Sequence, residues 1–344
     1  MSPHLRLPRR GVGPRRALAG LATLIAAALA VAGCGGGGSS GSSAAAGSGS
    51  SVGTATTASA TGSSSGASPT VETIYGPVEV PTEPKKIVAL DFPEATALAD
   101  LGVKPVGQPF YIPALPAYEK FFKGIPKVTN SSAEPELEKI AALEPELIVG
   151  DANELEGKKQ IYEELSQIAP TVLFEWTTAA GSWEADAMGT AEAIGEAPQL
   201  EELKGAYEDH AADIKGKYAS WLGSHSIDLV TGEPGVFYLY NPTASHSRVL
   251  IAAGAHLGAG AKLKEGFAEY STEKYPVLDH TGALVVDEPA PGGAKEVTEN
   301  PLFENLPAAK AGYVMTTSFF FPSSYQIAEA LLGEFEEFLA KEAR

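Results

Sequence analysis

Short apolar runs alternate with amphipathic helical segments along most of the chain. In residues 134–150, apolar side chains first recur at helical spacing and then form a continuous run at 147–149. The first pattern predicts a short amphipathic helix over 135–143, because positions three and four apart share one helix face. Pro145 ends that helix, and the run at 147–149 predicts a buried strand. A helix that leads into a buried strand is half of an α/β unit.

Further apolar runs lie on both sides of one long helical segment. They predict buried strands at 86–90, 227–230, 236–240 and 282–287. Between them, residues 198–221 keep apolar side chains three and four apart with no proline after the first position. This predicts one continuous helix, on the order of 35 Å long. The alternative is an ordinary surface helix within one domain.

The first seventy residues have the composition of an export signal followed by a tether. An arginine-rich start precedes an apolar run that is short for a membrane span, so 1–33 is predicted to be a signal peptide. The single cysteine, Cys34, follows in a context that resembles a bacterial lipobox, which implies cleavage before it and lipidation of its thiol. Residues 34–70 then form a Gly/Ser/Ala/Thr-rich tether. Two pairs of adjacent arginines leave both Sec and Tat export open.

The formal net charge of −18, from 43 acidic against 25 basic residues, bears on the choice of partner. Nucleic acids and anionic lipid surfaces attract basic patches, so neither is expected to bind this chain. Solubility alone is the other explanation of the charge. We expect a monomer that contacts the membrane only through its lipid anchor.

Three phrases, in the same order, resemble the periplasmic-binding proteins for iron-siderophores and vitamin B12. They stand at 84–107, 137–148 and 300–314, and the second reads Leu-Glu-Lys-Ile-Ala-Ala-Leu-Glu-Pro-Glu-Leu-Ile. The resemblance implies two Rossmann-like α/β lobes joined by one long bridging helix, the class III periplasmic-binding protein fold. It assigns 71–197 to an N-terminal lobe, 198–221 to the bridge and 222–344 to a C-terminal lobe. It also implies a receptor that serves the permease and ATPase of an ABC importer, and not an enzyme.

Residues near the ends of predicted strands are the candidate ligand site, because open α/β sheets bind ligands outside the carboxyl ends of their strands. From the N-terminal half, the candidates are Asp91, Phe92, Ser131, Asn153, Trp176 and Trp183. From the C-terminal half, they are Tyr240, Asn241, Ser245, His246, Arg248, Phe319 and Phe320.

Arg248 is the only arginine between Cys34 and the C-terminal residue. A guanidinium can hold ligand oxygens through two parallel hydrogen bonds, or it can pair with a nearby acid. Both interpretations stay open. Many siderophore receptors carry an arginine just before the 137–148 phrase, where this chain has no cation at 129–133. That difference favours a neutral or cationic ferric hydroxamate over an anionic catecholate complex.

The resemblance further implies docking on the permease through one acid in each lobe. Glu138 matches the acid of the first lobe, whereas the apolar Ile251 occupies the matching place in the second. We therefore expect a ferric siderophore as the ligand, no cofactor and no resident metal, and docking through Glu138.

Haem, cobalamin or a bare transition metal are alternative ligands. Histidines at 210, 225, 246, 256 and 280 raise the metal alternative, although none forms a two-histidine helix motif. A surface hydrolase is less favoured. The Gly-x-Ser-x-Gly pattern at 62–66 lacks the strand and helix that such a motif needs on its two sides.

Overall fold

The structure is a computed structural model that describes residues 68–131, 134–152, 155, 157–174, 183–289 and 293–343. The predictions for the signal peptide, for Cys34 and for nearly all of the tether lie outside these residues, as do those for Asn153 and Trp176. Within the described ranges, no helix has both the length and the apolar character that a membrane span requires.

The N lobe, as we call the elements up to residue 194, surrounds a three-stranded parallel sheet. Its elements are β1 (Thr70–Thr73), β2 (Gly76–Glu79), β3 (Ile87–Ala89), α1 (Phe92–Asp100), α2 (Pro116–Phe122), β4 (Thr129–Ser131), β5 (Glu134–Pro135), α3 (Leu137–Ala142), β6 (Leu147–Asp151), α4 (Lys158–Ser166), β7 (Thr171–Phe174) and α5 (Trp183–Ile194). The sheet order is β3-β6-β7, with all three strands parallel. The helix predicted over 135–143 begins two residues later, because Glu134 and Pro135 pair with β4 as β5.

The C lobe, as we call the elements from residue 227 onward, contains a five-stranded mixed sheet. Its elements are β8 (Ile227–Glu233), β9 (Val236–Tyr240), α8 (Ser245–Ala252), β10 (Phe267–Ser271), β11 (Ala283–Asp287), α9 (Gly293–Thr298), α10 (Pro301–Glu304), α11 (Pro307–Ala311), β12 (Val314–Thr317) and α12 (Tyr325–Glu342), with 3-10 turns at Gly260–Lys262 and Thr272–Leu278. The strand order is β10-β9-β8-β11-β12, and β8, β11 and β12 are parallel. β9 runs antiparallel to β8 and β10.

Two consecutive helices connect the lobes where one was predicted. α6 (Ala197–Lys217) has 21 residues, which gives a length of about 32 Å, and α7 (Ala219–Ser224) follows it. The helix predicted to continue to 221 is wrong at its end, because Tyr218 leaves helical geometry with φ −111° and ψ 16°. Tyr218 and Trp221 are nevertheless both buried, and this burial is what the apolar spacing had indicated. α6 packs against α5 of the N lobe and against α8 and α12 of the C lobe.

One apolar core continues from the N lobe into the C lobe. It includes Val149 of β6, Trp183 of α5, Tyr207 of α6, Leu331 of α12 and Val285 of β11. Separating the lobes would expose this shared surface, which costs roughly 25 cal/mol for each Å² of apolar area. The arrangement therefore favours two lobes held in a nearly fixed relation.

A buried hydrogen-bond network reinforces this junction. Tyr118 of α2 donates its hydroxyl proton to Asp100 Oδ1 at 2.5 Å, and its oxygen lies 2.5 Å from Ser324 Oγ. The amide of Gln326, in the first turn of α12, donates to Asp100 Oδ2 at 3.1 Å. Ser324 is also the N-cap of α12, where its hydroxyl accepts from Ile327 N. The N terminus of α12 is thereby joined to two helices of the N lobe.

Candidate functional site

Two acids end neighbouring strands of the N-lobe sheet. Asp91 follows β3 and caps α1, with Oδ1 accepting from Phe92 N at 2.8 Å, and Asp151 is the last residue of β6. Because β3 and β6 are parallel, both carboxylates lie at the same edge of the sheet. Both are buried. The prediction that Asp91 lies at the carboxyl edge of the sheet is therefore confirmed.

Phe92, the residue after Asp91, belongs to a small group of aromatic side chains. The ring of Phe92 meets the ring of Tyr111 edge-on at 5.8 Å between centroids, and Phe110 lies 6.3 Å from Tyr111. All three side chains are partly buried. The sequence pattern did not indicate Phe110 and Tyr111 as site residues, because they lie in a loop with no strand or helix periodicity. Ser131 ends β4 and is also partly buried.

Two further acids lie buried with Asp91 and Asp151. Glu94 of α1 is fully buried, and neither of its carboxylate oxygens has a hydrogen-bond partner in another described residue. Burial first, and then the charges of Asp186, Asp91 and Asp151, raise the pKa of Glu94 well above its usual value. Burial likewise raises the pKa of Asp186 to about 7, with further contributions from Asp151, Asp91 and Glu184. Burial and the neighbouring acids therefore both favour the protonated form of Glu94.

An aromatic cluster of the C lobe joins the end of β9 to α8 and to the segment after β12. The ring of Tyr240 lies 4.4 Å from His246, 5.6 Å from Phe320 and 5.9 Å from Phe321, measured between centroids. Its hydroxyl is 3.0 Å from Thr231 Oγ1. Tyr240, His246 and Phe320 are buried, whereas Phe321 is 48% exposed. Phe321, which follows the predicted site residues Phe319 and Phe320, is the most accessible ring of the cluster.

His246 is neutral at physiological pH. Burial lowers the pKa of its imidazole to about 3. Within the part of the chain that the structure describes, neither ring nitrogen has a hydrogen-bond partner, and the ring packs 4.2 Å from that of Phe320. Ser245 precedes it as the first residue of α8 and is partly buried. Phe319 is partly buried as well, and its amide donates to Thr317 Oγ1 at 3.0 Å.

Asn241 lies away from the carboxyl ends of the parallel strands. Because β9 is antiparallel to β8, its last residue is near the amino end of β8. The side chain of Asn241 accepts from Thr243 N at 2.9 Å and from Thr243 Oγ1 at 2.8 Å, which shapes the turn before α8. Nothing in this placement supports a contact between Asn241 and the ligand, so that role stays a prediction.

Trp183 lies in the core and does not line an open surface. It is 0% exposed, and its indole meets Tyr325 edge-on at 4.8 Å and Tyr207 at 6.3 Å. A ligand could reach this ring only by displacing those side chains. The expectation that Trp183 forms a wall of the ligand site is therefore replaced by a packing role at the junction of α5, α6 and α12.

Arg248 forms an ion pair between the lobes. Its Nη2 lies 3.0 Å from Glu184 Oε1, which joins α8 of the C lobe to α5 of the N lobe. The side chain is 41% exposed, so the guanidinium is only partly enclosed. Of the two interpretations of this residue, the structure contains the ion pair. A contact between Arg248 and a ligand stays a prediction.

Asp287 and Glu288 stand at the carboxyl end of β11. Asp287 is 5% exposed, and burial, followed by the charge of Glu288, raises its pKa to about 7. Glu288 is exposed, and its Oε2 accepts from Ser318 Oγ at 2.9 Å. The charge of Asp287 helps to raise the pKa of Tyr111 and Tyr240, although burial is the larger cause for both. Asp287 is thus close to aromatic residues of both lobes.

The predicted docking positions and the histidines considered as metal ligands lie on the surface or apart from one another. Glu138 is exposed on α3, and Ile251 is partly buried on α8. Among the described histidines, His210 contacts Glu329 of α12 at 2.7 Å, and His225 stacks on Trp221 at 4.2 Å. The described residues include no group of three or more His, Cys, Asp or Glu side chains placed to hold a metal ion.

Comparisons with known proteins agree with this architecture. The family model described as "Periplasmic binding protein" matches residues 87–319. The probable siderophore-binding lipoprotein YfiY of Bacillus subtilis is 28% identical over 269 residues, covering 72% of this chain and 80% of that protein. The petrobactin-binding protein YclQ of the same organism is 26% identical, covering 69% and 75%.

Solved structures show the same fold. The siderophore periplasmic binding protein from the fuscachelin gene cluster of Thermobifida fusca superimposes with a TM-score of 0.68 at 25% identity, covering 76% of this chain and 98% of that one. Two α/β lobes, the joining helix and the matched segment together confirm the class III fold expected from the sequence. The chain belongs to the iron-siderophore and vitamin B12 family of periplasmic binding proteins, which are substrate-binding proteins of ABC transporters and not enzymes.

Proposed function

We propose that this protein captures a ferric siderophore, with a hydroxamate complex favoured, between its two lobes and delivers it to the permease of an ABC importer. The observation that carries the proposal is the pair of aromatic and acidic surfaces contributed by the two lobes. Phe92 and Tyr111 belong to one surface, and Tyr240 and Phe321 to the other. Ligand sites in proteins commonly combine apolar walls with a few placed polar groups.

The charge of this region favours a neutral or cationic complex. Asp91 follows a strand of the N lobe, and Asp151 and Asp287 end strands of the N lobe and the C lobe. The guanidinium of Arg248 is already paired with Glu184. A catecholate complex with several negative charges would meet carboxylates here, and like charges in a poorly solvated site repel strongly. A ferric hydroxamate avoids that repulsion.

The relatives are named for several different iron chelates. YclQ is named for petrobactin, YfmC of Bacillus subtilis for ferric citrate, and FhuD of the same organism for ferric hydroxamates, at 26%, 26% and 24% identity. All three carry iron in a chelated form. We therefore infer the preferred chelate from the charge of the site and not from sequence similarity to these relatives.

Anchoring and delivery complete the proposal. Residues 1–33 would direct export, Cys34 would carry the lipid, and residues up to 70 would give the receptor reach from the outer face of the cell membrane. Two acyl chains suffice for stable anchoring where one is marginal. Glu138, exposed on α3, would contact the permease, whose ATPase drives import. The receptor would act as a monomer.

Intrinsic fluorescence titration with a panel of ligands tests the proposal. The panel contains a neutral ferric hydroxamate, a ferric catecholate, ferric citrate, haem, cobalamin, Zn²⁺ and Mn²⁺. We expect the hydroxamate to bind at least about tenfold more tightly than the catecholate, a difference of about 1.4 kcal/mol. Tighter binding of haem, cobalamin or a bare ion would replace the siderophore as ligand. Absence of binding by every iron chelate would overturn the proposal.

A matched pair of variants locates the site. Phe321 and Leu302 are both exposed apolar side chains of the C lobe, at 48% and 42%, but only Phe321 belongs to the aromatic cluster. Phe321→Ala is expected to weaken chelate binding by about tenfold, the usual order for truncating an aromatic contact. Leu302→Ala should leave the affinity unchanged. Equal effects of the two variants would place the ligand elsewhere.

A further inference from the structure

Asp287 and Asp228 are both buried acids of the C-lobe sheet, but their carboxylates differ in their hydrogen-bond partners. Asp228 of β8 is also buried, but it accepts from Gly258 N, Ala259 N and Gly260 N at 3.2, 2.8 and 2.8 Å, and from the hydroxyl of a threonine. Such donors satisfy a buried carboxylate and give it a structural role. Asp287, at 5% exposure, makes no side-chain hydrogen bond and no ion pair with any described residue.

An unpaired buried carboxylate is costly, because a charge removed from water needs a partner or must take up a proton. Burial raises the pKa of Asp287 to about 7, so near neutral pH the group can still ionise when a cation arrives. Its charge acts on Tyr111 of the N lobe and Tyr240 of the C lobe. Asp287, at the carboxyl end of β11, is therefore near an aromatic residue of each lobe.

The surroundings of Asp287 suit a cation. Glu288, the next residue, is exposed, and its Oε2 accepts from Ser318 Oγ at 2.9 Å. Its charge also contributes to the raised pKa of Asp287, so the two carboxylates interact. The aromatic rings of Tyr240 and Phe321 lie on the same lobe, and ring faces attract cations. The guanidinium of Arg248, 3.0 Å from Glu184, is already engaged by another acid.

We propose that Asp287, assisted by Glu288, binds a protonated amine of the iron chelate, so that this receptor selects a cationic ferric siderophore over its neutral counterpart. An ammonium group offers three donors, and each carboxylate offers two acceptor oxygens. Asp287 is thus a specificity-determining residue of the site. The inference rests on the proposed function and names the chemical class of its ligand.

The test uses two ferric hydroxamates that differ only at a terminal amine, free in one and N-acetylated in the other. Their affinities for the unaltered protein, for Asp287→Asn and for Glu288→Gln are measured by titration calorimetry at pH 7.5. Hydrogen bonds to charged groups contribute enough for a preference of about 10- to 100-fold toward the free amine. Asp287→Asn should abolish that preference.

Glu304→Gln is the matched control, because Glu304 is an exposed acid of the same lobe on α10, outside the aromatic cluster. It should keep the full preference. If Asp287→Asn does not fold, Glu288→Gln carries the test, with an expected fall in preference of about threefold. Equal binding of both chelates to the unaltered protein would overturn this inference alone. Binding of neither chelate would overturn the proposed function together with it.

Discussion

Replacing Asp100 by asparagine should change how the stability of the protein depends on pH. Asp100 is buried where α1 and α2 meet the N terminus of α12, and it accepts hydrogen bonds from Tyr118 and from Gln326 N. Burial raises the pKa of Asp100 from 3.8 to about 6, although these hydrogen bonds act to lower it. The folded protein therefore holds a proton on this carboxyl more tightly than the unfolded chain does.

The sign and size of the effect follow from that difference. A carboxyl whose pKa is higher in the folded state contributes stability that is complete below the unfolded pKa, and this contribution is lost as the pH rises through the folded pKa. One pKa unit corresponds to 1.36 kcal/mol. The shift from 3.8 to about 6 therefore amounts to about 3 kcal/mol, lost by the unaltered protein between about pH 4 and pH 7. The amide of the Asp100→Asn variant does not ionise, so the variant loses nothing at this position in the same range.

Urea unfolding at several pH values measures this difference. The free energy of unfolding of Asp100→Asn, relative to the unaltered protein, should increase by about 3 kcal/mol from about pH 4 to pH 7. Asp279→Asn, at an exposed position of the C lobe, should show no comparable trend. Tyr118→Phe removes a hydrogen bond that lowers the pKa of Asp100, so the loss should move to higher pH. A relative stability that stays constant, or falls, over this range would refute the reasoning.

Three other predictions concern the lobe junction, the ligand site and the C-lobe backbone. Arg248→Gln should lower the free energy of unfolding by about 1 kcal/mol, with part recovered when Glu184→Gln is added, and it should leave chelate affinity unchanged. A large affinity loss in both variants would instead favour a ligand role. Affinity for an amine-bearing chelate should rise as the pH increases through about 7, where Asp287 ionises, and this rise should be absent in Asp287→Asn, as measured by calorimetry. Gly260→Ala should lower the free energy of unfolding in urea by about 3 kcal/mol, because the added carbon would overlap the carbonyl oxygen at the end of β9. The control is Gly205→Ala on α6, where the added carbon meets no other atom, so this change should be neutral or slightly stabilising.

The sequence by itself determined the buried strands, the fold class and the family. Strands of a parallel sheet are buried on both faces, so they appear as continuous apolar runs, and the predicted runs at 86–90, 147–149, 227–230 and 282–287 all form strands. The same rule placed Asp91 at the edge of the N-lobe sheet, because that position depends only on where a strand ends. Local spacing was sufficient for these features, since each depends on residues close together in the chain.

Only the tertiary structure decided which side chains have partners. Trp183 and Arg248 are of residue types that often line ligand sites. In the structure, aromatic rings of α6 and α12 enclose Trp183, and Glu184, an acid 64 positions away, pairs with Arg248. Glu94 and Asp287 gave no signal in the sequence, because an acid in an apolar segment looks the same whether or not donors surround it. The contacts that satisfy or isolate a buried charge come from distant segments, and no local spacing encodes them.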